Sequence, residues 1–368
     1  MTDLPPIRLT GATILRDGAL RQRSVAVARG RIGKGPLPAV DLDGFLILPG
    51  IVDMLFLPPA LDEPALVAAR AGITTAWVAP RWSWPESHEP PEAAEALLEA
   101  LPRRALPDLR RALRVESSRS DATAALLALC HRLRPELVYL ENRADALAEA
   151  QHLRPETLAE AAAAQGLTPA ALQLILERTQ ATQRERPRHL CRLAECCEEI
   201  GARHGSIGDL CGATRETHSM IGASLAACPG ALSAAAAARA MGDPVLLAVA
   251  EEDRLRDLMR SGLGDALVSA GAPQRMAALA LDLAGPDLAD LPRLWPLLSQ
   301  RPAEIMHLSD RGRLDFGCRA DLILIHRTSG TVQATICAGR LLHLTGEAAE
   351  RFAQAGITGQ GPQPMAAE

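Results

Sequence analysis

Aromatic residues make up only 2% of this chain of 368 residues: four tryptophans, four phenylalanines and one tyrosine. Interleaved aromatic and basic side chains of the kind that stack and neutralise a nucleic acid are therefore scarce, and no long basic run or stripe replaces them. The formal charge of −5, from 39 basic and 44 acidic residues, is dispersed along the chain, so nucleic acid is not an expected partner. No stretch approaches the roughly 18 uninterrupted apolar residues of a membrane span. The opening MTDLPPIRLT also lacks a basic region followed by an apolar one, so the expectation is a cytoplasmic protein without a membrane partner. Eight unevenly spaced cysteines read as free thiols of a reducing compartment rather than as a disulfide framework. Cys191, Cys196 and Cys197 match no zinc knuckle and fall in a strongly helical region, so helix packing is their expected role. The P-loop, the dinucleotide G-x-G-x-x-G and the G-x-S-x-G nucleophile elbow are all missing.

Alanine and leucine are abundant, and arginine far outnumbers lysine. Apolar positions are filled with Ala and Leu whatever their role, so a run such as ALSAAAAARAMG means helix and little else. Short alternating pieces at 7–9, 12–15 and 24–28, broken by turns at 16–18 and 29–31, read as a small β-meander. Similar pieces return at 321–326, 332–338 and 340–344. Between them, short apolar strands alternate with helices, at 51–57, 74–79, 112–116, 137–141, 205–210, 245–250 and 266–269. That rhythm implies βα units and a (β/α)8 barrel, regular or distorted. The expected organisation is a composite small β-sheet or sandwich domain from residues 1–48 and 314–346, a barrel over 49–313 with a helical insertion at about 155–204, and a tail from 347 to 368 that ends in disorder.

Four features together resemble the amidohydrolase superfamily of metal-dependent hydrolases. They are LPGIVDMLFLPP (48–59) entering the first strand, AGITT near the second, RGRLDFGCRADLILI near the end, and a sheet divided between the two chain ends. RALRVE, SIGDLCGATRETHSMIG, SGLGDALVSAGAP and RPAEIMHLSDRG resemble, more narrowly, the PhnM-type diphosphatases of phosphonate metabolism. The resemblance implies metal held at the C-terminal ends of barrel strands, where it activates water and polarises a phosphoryl or carbonyl oxygen.

Carried over residue by residue, that ligand set is degenerate. The first-strand H-x-D pair falls on Leu55 and Leu57, and the H-D-D element on Ile207, Gly208 and Asp209. The middle-strand pair falls on Glu141 and Asn142, and the late aspartate within S-S-D-Y-Y-P on Ala270. Glu116 and Asp209 remain as residual catalytic candidates. The losses imply a PhnM-like protein without catalysis or cofactor, acting through binding or assembly with a homologous or phosphonate-pathway protein, or with further copies of itself.

Two other readings stay open. One is an active hydrolase, of diphosphatase or C–N hydrolase type, with a single zinc, manganese or iron ion on Glu116, Asp209, Asp53 and Glu141. The other is a repurposed small-molecule binder. Asp53 shares a strand face with Leu55 and Leu57, as either a ligand or a structural acid. Glu116 is expected either to keep a site role or to pair with Arg114 or Arg119. Trp82 and Trp84 follow a barrel strand and mark either a pocket or partner loop, or a lid on the barrel mouth. His204 and His218 flank the H-D-D segment at spacings that do not restore its histidine, and a solvated or hydrogen-bonding role is expected for both. His189, His307 and His343 have no acidic or cysteine partner at useful spacing.

Overall fold

The computed structural model describes residues 2–58, 63–102, 105–153 and 157–357. Eight strands follow one another in chain order in a nearly closed parallel barrel. They are β1 (Ile51–Phe56), β2 (Ile73–Val78), β3 (Asp108–Glu116), β4 (Leu137–Glu141), β5 (Arg203–Ile207), β6 (Ala226–Ala227), β7 (Val245–Ala248) and β8 (Ala266–Val268). β1 and β2 are buried at every position, as expected for strands covered on both faces. Seven of these strands are legible in the sequence. The eighth, β6, is two alanines long and carries neither β-branched side chains nor alternation.

Strands from both chain ends form the separate sheets that the sequence implies. Leu322–His326 runs antiparallel to Phe45–Pro49 on one side and to Val332–Cys337 on the other. Their inner faces supply a core that includes Ile14, Phe45, Ile47, Leu322, Leu324 and Ile336. A helix, Gly346–Gln354, lies in the stretch read as tail and buries Ala348 and Phe352 in that core. Residues 358–368, where disorder is expected, lie outside the described residues.

The chain divides into two compact units, one of Met1–Ala76, Arg104–Leu109 and Ala266–Glu368, the other of Trp77–Arg103 and Arg110–Asp265. The second holds the insertion read at about 155–204, where the helices Thr157–Ala163, Pro169–Ala181 and Arg186–Ile200 follow one another, with Arg143–Leu153 just before it. In Arg186–Ile200, His189, Leu190, Leu193, Cys196, Cys197 and Ile200 recur at helical spacing and are all buried. Cys191 stands on the exposed face, so the cysteine group is a packing feature of one helix.

Two motif glycines have steric reasons. A Cβ at Gly50 would lie 2.5 Å from Thr74 Cγ2 and closer still to its hydroxyl, so the turn into β1 admits no side chain. Gly312 has φ +78°, and a Cβ there would lie 2.6 Å from the Ser299 carbonyl oxygen. Beyond Gly312, Arg319 Nε donates to Asp321 at 2.7 Å, and the same buried carboxylate accepts from Ala338 N at 2.8 Å. Asp321 thereby fixes the return of the chain into the sheet.

Gly50→Ala is expected to destabilise the protein by about 1–3 kcal/mol, the cost of overpacking a filled core. Thr74→Ala should recover part of the loss. A double-mutant cycle by urea denaturation checks this, and simple additivity would contradict the close approach.

Candidate functional site

The C-terminal ends of β3, β4 and β5 lie in the second unit and are in register. Glu116 pairs with Glu141, and Glu141 with Ile207. Three positions singled out as retained or lost ligands therefore share one level of the sheet. Gly208 follows at φ +75°.

Glu141 is gripped by two arginines. Arg81 Nε and Nη2 donate to its two oxygens at 2.7 and 3.3 Å, and Arg114 Nη1 donates at 3.4 Å. Burial alone would raise this carboxyl, but Arg114 and Arg81 outweigh it and hold it at about 2. Glu141 is thus a permanent anion already matched by protein cations. Arg81 sits on the short strand Arg81–Trp82 beside β3 and also pairs with Glu89.

Glu116 is treated differently. Its Oε1 accepts from Ser118 Oγ at 2.8 Å and from Ser118 N at 3.4 Å, while Oε2 accepts from Arg143 N at 3.1 Å. The last donor opens the helix Arg143–Leu153, whose unpaired N–H groups suit an anion. Burial nonetheless dominates and pushes the carboxyl up to about 7. The arginines expected as partners go elsewhere. Arg114 takes Glu141 and the Ala79 carbonyl, and Arg119 takes Asp121 and the Ser83 carbonyl. Glu116 is left to neutral donors because Arg114 reaches the carboxylate of the neighbouring strand.

Asp209 lies just beyond β5 in a second buried network. Ser206 Oγ donates to its Oδ2, and His218 Nδ1 meets its Oδ1 at 2.9 Å. Arg215, fully buried, bonds Ser206, the Leu225 carbonyl at 2.8 Å and Asp243 at 2.9 Å. The chain turns after Gly208 and returns as the helix Gly212–Met220, which brings His218 back over Asp209 although it lies nine positions further on in sequence. His204 instead bonds the Ile221 carbonyl. Ser206, His218 and Asp209 do not form a nucleophilic triad. The carboxylate stands between the other two, so the Ser206 hydroxyl meets Asp209 and Arg215 rather than the imidazole.

In the first unit, Asp53 points into the join between β1 and β8. Its Oδ1 accepts from Leu55 N and Ser269 N, each at 3.1 Å, and Oδ2 is buried without a hydrogen-bond partner among the described residues. Burial raises this carboxyl to about 6 against those bonds. Leu55 and Ala270 are brought together through the main chain, Ala270 N donating to the Leu55 carbonyl at 3.1 Å. Ser269 Oγ donates to the same carbonyl. Leu57 lies just past β1 and is half-buried, and Pro59 is outside the described residues.

Trp82 and Trp84 are both buried. Arg119 stacks over Trp82 and Arg143 over Trp84, at 5.5 and 5.9 Å. Trp84 packs with Ile175 and Leu176 of the insertion and, with Ser118, Arg119 and Arg178, lines a cavity of about 320 Å³. The contributions of Arg81, Ser118 and Arg143 were not apparent from sequence, whereas a hydrogen-bonding role was among those expected of His218. The only signal for Arg81 was its place at the end of a predicted strand.

A divalent ion would need imidazole or carboxylate donors converging at these strand ends. Leu55, Ile207, Gly208 and Ala270 have no side-chain lone pair, and Glu141 and Asp209 already bond protein donors. Among the described residues no three His, Cys, Asp or Glu side chains converge in metal-binding geometry. The residues present do not fit the metal centre implied by the resemblance.

The raised carboxyls set a pH dependence. A folded-state value above the unfolded one means that stability is fully present below the unfolded value and falls as pH rises through the folded one. For Glu116 that window runs from 4.5 to about 7, and for Asp53 from 3.8 to about 6. Glu116→Gln should remove part of the decline, gaining on the order of 1–3 kcal/mol relative to the parent between pH 4 and pH 8. Urea denaturation at both pH values measures this, and an unchanged slope would contradict the burial of a titrating Glu116.

No protein-family model matches the sequence, and no curated protein matches it. Solved structures do match. The β-aspartyl dipeptidase of Fervidobacterium islandicum AW-1, in complex with β-Asp-Leu dipeptide, aligns with a TM-score of 0.62 at 14% identity, over 94% of this chain and 97% of that one. A triazine hydrolase variant gives 0.58 at 12% identity, over 96% and 99%. The dihydropyrimidinase of Brevibacillus agri NCHU1002 gives 0.53 at 13%, over 93% and 96%. At such identities the likeness speaks for architecture alone: the chain has the amidohydrolase fold, a TIM-like barrel with separate sheets built from the chain ends.

Proposed function

We propose that this is a PhnM-like protein of phosphonate metabolism that keeps the amidohydrolase architecture without metal-dependent hydrolysis and acts by binding or assembly. The observation that carries the reading is the condition of the inherited strand ends. Where donors would be needed there are Leu55, Ile207, Gly208 and Ala270, and Glu141 and Asp209 are engaged by Arg81 with Arg114 and by His218 with Ser206. The phosphonate context rests on the sequence blocks alone, and a fold does not carry a pathway with it. The proposed partner is a homologous or phosphonate-pathway protein, or a second copy of this chain.

One observation favours a second reading. Glu116, buried and with a carboxyl at about 7, is suited to moving a proton near neutral pH. In an active hydrolase it would be the acid or base.

Metal analysis by mass spectrometry separates the two. Tag-free protein incubated with zinc, manganese or iron(II) and then gel-filtered is expected to retain metal far below stoichiometry. A stoichiometric ion that disappears in Glu116→Gln would overturn the proposal and favour the active site.

A further inference from the structure

The cavity of about 320 Å³ beside Trp84 is assembled from three segments of the second unit. Trp84 comes from the loop after the strand Arg81–Trp82, Ser118 and Arg119 from the loop after β3, and Ile175 and Thr179 from the insertion helix Pro169–Ala181. Trp84, Ser118, Ile175 and Thr179 line the cavity and are all buried, so it reaches below the surface and has an inner wall. Loops that follow barrel strands at their C-terminal ends are where this architecture places ligands, and the volume is at the lower end for a small-molecule site.

That wall keeps unused donors. The Trp82 N–H is taken by Glu95 at 3.3 Å and the Trp295 N–H by the Pro49 carbonyl at 2.9 Å. The Trp84 N–H has no partner among the described residues and, unlike that of Trp77, is not enclosed. A buried indole N–H usually finds a partner. Arg119 gives Nε to Asp121 at 2.9 Å and Nη1 to the Ser83 carbonyl, and its Nη2 has no partner among the described residues. The Arg119 side chain is 12% exposed against 59% for Asp121, so the cation belongs to the wall and the carboxylate to the solvent. Glu86, the other acid on the cavity, is exposed and held by Arg178 at 3.2 Å. Ion pairs this exposed contribute little, so Asp121 competes weakly with an anion seated against Arg119.

We propose that this cavity binds a small monocarboxylate with an apolar, planar body, whose oxygens accept from Arg119 Nη2 and the Trp84 N–H. The body lies against Trp84, Pro85 and Ile175, which supply the apolar part of the wall. A carboxylate suits the two donors because it only accepts, and a hydrogen bond from a guanidinium is stronger when the acceptor is ionised. The inference rests on the reading that the protein acts by binding, but its readout does not involve metal, so either can fail alone.

The test is isothermal titration calorimetry of the full chain with phenylacetate, 2-phenylethanol and acetate. Phenylacetate is expected to bind. The alcohol, which lacks the charge, and acetate, which lacks the ring, should each bind roughly tenfold more weakly or worse, the effect of losing a hydrogen bond between charged groups or the burial of an apolar body. Arg119→Gln should weaken phenylacetate by roughly tenfold and leave 2-phenylethanol unchanged. If that variant does not fold, Ala181→Trp, at an exposed position on the rim, fills the cavity and should abolish binding while preserving the melting temperature. No binding of phenylacetate, equal binding of acid and alcohol, or phenylacetate binding that survives either substitution would each overturn the proposal.

Discussion

A carboxylate taken out of water must be answered by donors or must keep its proton, because an unmatched buried charge costs more than folding can supply. Four acids on or just beyond barrel strands meet that constraint in different ways. Glu141 is ionised and matched by Arg81 and Arg114. Asp209 is held by Ser206 and His218. Glu116 and Asp53 receive only neutral donors, and burial shifts both towards the protonated form.

Leu55 and Ala270 bring no polar side chain to the join between β1 and β8, which is completed by main-chain hydrogen bonds and by Asp53. The acids of the second unit find partners on sequence-distant elements, such as Arg81 on the strand Arg81–Trp82 and Arg143 N at the start of a helix. In the same unit Asp145 accepts from both Arg186 and Asn142.

Local pattern is enough to read most of the fold. Buried strands such as 73–78 and 137–141 announce themselves by apolar runs, and motif glycines by positions where no Cβ fits. The two-residue strand Ala226–Ala227 carries no pattern, and the helix Gly346–Gln354 looked like tail because its apolar face is reduced chiefly to Ala348 and Phe352. The site was half legible. Strand register places Glu116, Glu141 and Ile207 on one level. What could not be read was partnership. Arg114 is near Glu116 in sequence yet bonds Glu141 on the next strand, while His218 reaches Asp209 only because the chain reverses after Gly208. Such pairings depend on tertiary geometry and leave no spacing signature.

The central claim is that these acids are answered by the protein's own donors or, as at Asp53, by burial that favours the proton. Anomalous diffraction from crystals grown with excess zinc or manganese tests it most directly. The account predicts no anomalous peak beside Glu116, Glu141, Asp209 or Asp53, with Glu141 still on Arg81 and Asp209 still on His218. A full-occupancy ion bound by any of these carboxylates, with its protein partners displaced, would contradict it.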